Sequence, residues 1–258
     1  MDLLSAGTVD VDWIKLSDPE TVEEDLARVR PVRPVLLHTL GHAGRRPEAW
    51  EGYPWDALNL QLAMAGSPHI ALHLDLWAED WDEALDLGCT QRDQAMALVR
   101  RLAGGILTAK RNMTVPVLVE NMPYYGPGSW RPRITVQPEA IWQLVEDTGT
   151  GLVLDVAHLR CAAYHLGVDA RAYAQALPLG AVREVHVNGP LMVPGQGLRD
   201  RHLACGEEDY RLLEWLLGRC EPAIVTLEYG GFGERIDTPE RNDPRALEAQ
   251  LRRLGEIR

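Results

Sequence analysis

Short apolar runs, most of them bounded by Pro, Gly or Asn, alternate along this chain with longer stretches of helical periodicity. Seven runs predict strands: VDWIKL (11–16), PVLLHTL (34–40), HIALHLDL (69–76), VPVLVEN (115–121), TGLVLDVAH (150–158), VREVHVN (182–188) and AIVTLEY (223–229). The spacers at 54–66, 90–110, 138–149, 169–178, 207–220 and 244–257 predict helices, with Pro138 opening one and Gly149 closing it. Short strands with longer helical segments between most of them are the pattern of βα units around a parallel sheet. For 258 residues the expected fold is α/β, a TIM (β/α)8-type barrel occupying 1–258 as a single domain. An open doubly wound sheet is the alternative. The eighth stave is expected to be weak or irregular, because GGFGERIDTPERND (230–243) is polar and glycine-rich. YYGPGSWRPR (124–133), long, aromatic and basic, reads as a loop over one end of the barrel.

Charge narrows the partners. A formal net charge of -12 and a pI near 5.1 repel polyanions, and no Lys/Arg cluster is dense enough to offset that field, so nucleic acid is not an expected partner. The four cysteines form no CxxC pair and no framework spacing, which argues against disulfide staples and cysteine-rich zinc sites. Neither a secretion signal nor a membrane-length apolar run is evident, so the expectation is a cytoplasmic protein with no membrane partner. No glycine-rich nucleotide-binding motif follows any strand.

The strands share one property: most end on a residue type that binds metals. His38, His73, Glu120, Asp155 with His158, His186 and Glu228 close six of them, and Asp200 and His202 flank one arginine in LRDRHLACG (198–206). The C-terminal ends of barrel strands converge on one face, where active sites of this architecture lie. Carboxylates gathered there would repel one another and resist ionisation. Divalent cations relieve that repulsion, with neutral imidazole and carboxylate as ligands. Asp200 and His202, two apart, face the same side of an extended segment and can share an ion. Taken singly each residue has an ordinary structural role open to it; jointly, five of the eight histidines and four acids fall on one predicted face. His69 and His165 lie away from it and read as structural, as does His42, which is also close enough to His38 to be a group supporting the ligands. Lys15, Asn121, Tyr124 and Arg131 are candidate substrate contacts, and Tyr125, Trp130 and Arg133 could join them in holding a peptide or an acidic substrate.

The order His, His, Glu, Asp-x-x-His, His, Asp-x-His, Glu resembles the three-metal ligand set of endonuclease IV, among the xylose-isomerase-like barrels. PVLLHTLG, PHIALHLDL, VLVENM, LVLDVAHL, LPLGAVREVHVNG, RDRH, LLEWLL and AIVTLEY together resemble the multinuclear non-heme iron-dependent oxidative enzymes, formerly an uncharacterised protein family. That resemblance covers most of the chain. It implies an O2-dependent oxidoreductase with two or three irons, acting on a residue, often cysteine, of a ribosomally made precursor peptide that a small partner protein presents. It further implies that His38, His73 and Glu120 hold one iron, that Glu120 bridges to a second held by Asp155, His186 and Glu228, and that Asp200, His202 and His158 complete a third site. At His158 the chain follows endonuclease IV, where the oxidative family more often has Asn. VNGPLMVPGQG (187–197) lacks the Gly-His pair of that family. Zinc or manganese chemistry, as a phosphoesterase or as a sugar isomerase or epimerase, therefore stays open, although two lysines in the whole chain disfavour a lysine-dependent isomerase.

Overall fold

The computed structural model describes residues 7–17, 21–38, 41–80, 91–230 and 241–257. The barrel staves are β1 (Ile14–Leu16), β2 (Val35–Leu37), β3 (Ile70–His73), β4 (Val117–Glu120), β5 (Gly151–Asp155) and β6 (Val182–Val187). A hairpin of β7 (Gly189–Val193) and β8 (Gly197–Leu203) then interrupts the alternation, and β9 (Ile224–Leu227) resumes it. The helices are α1 (Val22–Val29), α2 (Trp55–Ala65), α3 (Arg92–Asn112), α4 (Pro138–Thr148), α5 (Val156–Leu166), α6 (Ala170–Gln175), α7 (Glu207–Leu217) and α8 (Pro244–Glu256).

β1 and β2 pair in parallel, as do β3, β4, β5, β6 and β9 in that order. The two groups are stitched by backbone hydrogen bonds between Gly41–Gly44 and the end of β3, among them His73 N to Gly41 O at 3.0 Å and Gly44 N to Asp75 O at 2.9 Å. All seven staves expected from the sequence are present. The glycine-rich segment expected to be irregular falls largely outside the described residues.

Period-two alternation sorts the staves into two faces. Leu72, Val119, Leu152, Leu154, Val185 and Val187 join the large core under the helices. Ala71, Leu118 and Val153 form a separate apolar cluster, and each stands two residues before the last residue of its strand: His73, Glu120 and Asp155. The ligand-type residues therefore cap an apolar layer within the barrel. Register sets their neighbours, since His73 pairs with Glu120 and Asp155 with His186 across adjacent strands, whose separation is about 4.8 Å.

Besides α1, which no predicted helix covered, two stretches differ from the sequence expectation. TGLVLDVAH is strand only to Asp155; Val156 already begins α5, because the Asp155 carboxylate accepts from His158 N (2.6 Å) and caps the helix. The segment after His186 forms the β7–β8 hairpin, whose turn uses Gly195 (φ 71°) and Gly197 (φ 76°).

Candidate metal centre

At the mouth of the barrel, seven of the nine expected ligands fall into three groups whose donor atoms lie within 4.8 Å of one another: His38, His73 and Glu120; His38, His186 and Glu228; and Glu120, Asp155 and His158. Glu120 is the hub. Its Oε2 lies 3.8 Å from His38 Nε2 and 3.7 Å from His73 Nε2, and its Oε1 lies 3.3 Å from His158 Nδ1. His186 Nδ1 faces Glu228 Oε1 at 3.1 Å. Asp200 Oδ2 joins the edge of the cluster, 3.4 Å from His158 Nε2 and 3.1 Å from His202 Nε2. This partition differs from the one the resemblance implies: His38, besides Glu120, is shared between two groups, and Asp155 groups with His158.

The donors fit cations. Among the described residues His38 Nδ1, Glu120 Oε2 and Asp200 Oδ1 are buried with no hydrogen-bond partner, a costly state for polar atoms unless something else satisfies them. Mixed imidazole and carboxylate donors suit iron, manganese and zinc. Burial lowers His38 to about 3, with the Lys15 charge acting in the same direction, so its imidazole is neutral. Burial also acts to raise Asp155, to about 7, with the Glu228, Asp200 and Glu120 carboxylates adding to it against His158. At His186 burial opposes the charge, but Glu228, with Glu120 and Glu184, outweighs both burial and Lys15 and raises it to about 10. His202 is likewise lifted against its burial, to about 9, chiefly by Asp200. His202 also has φ 50°, unusual for a residue with a Cβ, so the backbone is held in a less favoured conformation where its side chain meets Asp200.

Beneath the ligands lies a polar layer that sequence reasoning missed. Glu184, inward on β6 and 1% exposed, accepts from Lys15 Nζ (2.8 Å), His69 Nε2 (2.7 Å) and Thr226 Oγ1 (2.6 Å). It also bonds His186 Nε2 at 3.0 Å, which Lys15 Nζ touches as well. Holding one ring nitrogen of His186 turns the other into the cluster, the usual support for a ligating histidine. The available signal was parity: Glu184 is two residues before His186 and thus on the same face.

The candidate contacts divide. Arg131 lines a cavity of about 930 Å³ above the cluster, together with Tyr125, Trp130, Arg199 and Arg201. Tyr124 is buried in the core, Asn121 binds the backbone N–H and C=O of Asp155 (2.8 and 3.1 Å), and Lys15 is engaged by Glu184. Arg133 opens a short 3-10 turn ending at Val136. His42 contacts Asp80 (2.6 Å) and stacks on Trp77, and His165 bonds Leu198 O (3.0 Å). Both are structural, as is His69 apart from its hold on Glu184.

Fold and site together define a xylose-isomerase-like TIM barrel with a histidine- and carboxylate-lined mouth. A sequence model of the RiPP precursor modification enzymes MbnB/TglH/ChrH matches residues 12–233, and the chain belongs to that family. It is 33% identical over 140 residues to a UPF0276 protein of Bordetella pertussis, an alignment covering 52% of this chain and 48% of the relative; the match thus spans about half the length of that curated relative. Among solved structures it is similar to the family 2 AP endonuclease of Brucella melitensis (TM-score 0.60, 14% identity, 99% of this chain and 91% of the other). The D-psicose 3-epimerase of Clostridium cellulolyticum H10 is also similar (TM-score 0.54, 13% identity, 98% and 90%). These two likenesses speak to the fold. No helix among the described residues is long and apolar enough to cross a membrane.

Proposed function

We propose that this protein is a non-heme iron-dependent oxidoreductase that uses O2 to modify a residue, cysteine foremost, of a ribosomally made precursor peptide, and that a small partner protein presents the peptide. The observation that carries the reading is the cluster of donor groups around Glu120, lying under an open cavity in a chain of the precursor-modifying family. One iron in each of two or three of those groups would supply O2 binding and one-electron chemistry, which no side chain provides.

The protein's own part is positioning. His73 and Glu120 would hold one ion and His186 and Glu228 a second, with His38 within reach of either and free to ligate one of them; Asp155 and His158, with Glu120, would hold a third, which Asp200 and His202 flank. Glu184 fixes the ring of His186 from below. Asn121 fixes the backbone of Asp155, which as helix cap also fixes the start of α5 and so His158. Beneath the centre the barrel is filled by Ala71, Leu118 and Val153 on one side and by Glu184 with its partners on the other, and the substrate would approach from the cavity that the ligands line. The three described cysteines are unpaired, which suits a reducing cytoplasm.

Elemental analysis of protein purified without oxygen or added metal tests the reading. Two or three irons per chain, matching the donor groups, support it. Zinc or manganese with little iron would overturn it in favour of isomerisation or of hydrolysis, the second being the reading that the histidine at 158 favours.

A further inference from the structure

The cavity wall that faces the ligands is cationic, in a chain whose formal charge is -12. Arg131 is buried and fixed: its Nε donates to Asp75 Oδ2 (2.9 Å), its Nη1 to Pro123 O (3.3 Å), and its guanidinium sits 4.2 Å from the Trp130 ring centroid. Arg199, on β8, lies 4.3 Å over the Tyr125 ring with its Nε buried and, among the described residues, without an acceptor. Among the described residues neither Arg199 nor Arg201 has a carboxylate in salt-bridge contact, although Asp200 stands between them in sequence; Asp200 turns instead to His158 and His202. All three arginines line the same cavity as His38, His73, Glu120 and Glu228.

We infer that Arg199 and Arg201, beside Arg131 with its own carboxylate partner Asp75, form a carboxylate-receiving wall, and that the substrate peptide carries a carboxylate beside the residue delivered to the cluster. The inference rests on reading the cavity as a peptide site. A guanidinium presents a planar fork of donors that a carboxylate fills bidentately, and stacking on Tyr125 holds the Arg199 fork before the ligand arrives. The ligand carboxylates are committed to the histidines of the cluster, so the anion that satisfies the wall comes with the substrate. An acidic side chain and a peptide C-terminus offer the same chemistry. A polyanion is disfavoured by the field of the whole chain.

The test uses the metal-loaded protein as purified and three fluorescent hexapeptides centred on cysteine. One has Asp next to the cysteine and an amidated end, one has Asn there with a free terminal carboxylate close by, and one has Asn and an amidated end. Either carboxylate peptide, or both, is expected to bind at least about tenfold more tightly than the third, and which of them does so identifies the source of the carboxylate. R199E and R201Q should abolish that preference with metal content intact, while R211E, on the exposed face of α7, should not. Equal binding of the three peptides, a preference that survives R199E and R201Q, or an oligothymidylate that binds more tightly than any peptide through Arg199 would overturn the inference. Turnover is followed separately by peptide mass. A carboxylate preference without any product would count against peptide oxidation while leaving the carboxylate wall in place.

Discussion

Glu120 on β4 and Glu184 on β6 both stand on inward positions and both are 1% exposed, yet only one is built to hold an ion. Glu120 keeps Oε2 without a hydrogen-bond partner amid His38 and His73, whereas Glu184 has its oxygens filled by Lys15, His69, Thr226 and His186. Glu120→Ala should therefore remove ions from at least the two groups it joins, read as metal per chain. Glu184→Gln should leave the ligands in place but weaken ion binding about 10- to 100-fold, the usual cost of losing the group behind a ligating histidine, read by titration of the stripped protein. His69→Ala should leave metal content unchanged and cost about 2 kcal/mol of stability from a buried charge-assisted hydrogen bond, read by denaturant unfolding. Equal metal content in Glu120→Ala and His69→Ala would sink the ligand assignment. The strand-end ligands were legible because a barrel turns strand ends into neighbours. Glu184 was not, because a lone inward acid in a strand does not announce which partners surround it.

At the scale of elements, the sequence revealed the seven staves but not what lies between β6 and β9. The hairpin was obscured by Pro190, Pro194 and its glycines, which ordinarily speak against strands; here they serve its edges and turn, and the hairpin is what carries Asp200, His202 and the two wall arginines to the mouth. α5 was hidden because VAHLRCAAYHL is apolar nearly all round and so continues the apolar run of β5 without a change of period. α1 is short, and its buried stripe of Val22, Leu26 and Val29 is thin among charges. The adjacent glycines of α3 give a paired test of how this layer packs. A Cβ on Gly105 would lie 1.9 Å from Ala43 O, in the segment that stitches β2 to β3, whereas one on Gly104 would meet nothing within 4 Å. Gly104→Ala should stabilise by up to about 1 kcal/mol through helix propensity. Gly105→Ala should destabilise by about 1–3 kcal/mol from overpacking. Thermal or denaturant unfolding of the two variants reads both, and equal effects would mean that α3 does not hold that segment as described.

For the whole molecule, the mouth is a store of charge whose balance depends on what fills it. Without ions, the carboxylates hold protons on His186 and His202, whose values of about 10 and about 9 lie above the ordinary histidine value. Because these folded-state values are raised, the stability they contribute is fully present below about pH 6.5 and is lost as pH rises through about 9 to 10. Asp155, raised to about 7 by burial and neighbouring carboxylates, has the opposite sign of charge but the same need: it must lose its proton to ligate. An ion entering the cluster displaces protons from His186 and Asp155, so binding near neutrality should release protons and weaken as pH falls. Since an ion binds only the folded chain, the ion-loaded protein gains stability in proportion to that affinity. The gap in melting temperature between manganese-loaded and chelator-stripped protein should therefore widen from about pH 6 to about pH 8.5. Two effects act together here, as the stripped protein loses its histidine-carboxylate attraction and the loaded one gains affinity. Calorimetry in two buffers of different ionisation heat would count the released protons directly. A gap that stays constant or narrows with rising pH, with no proton release, would mean that the ions are held elsewhere than by these residues.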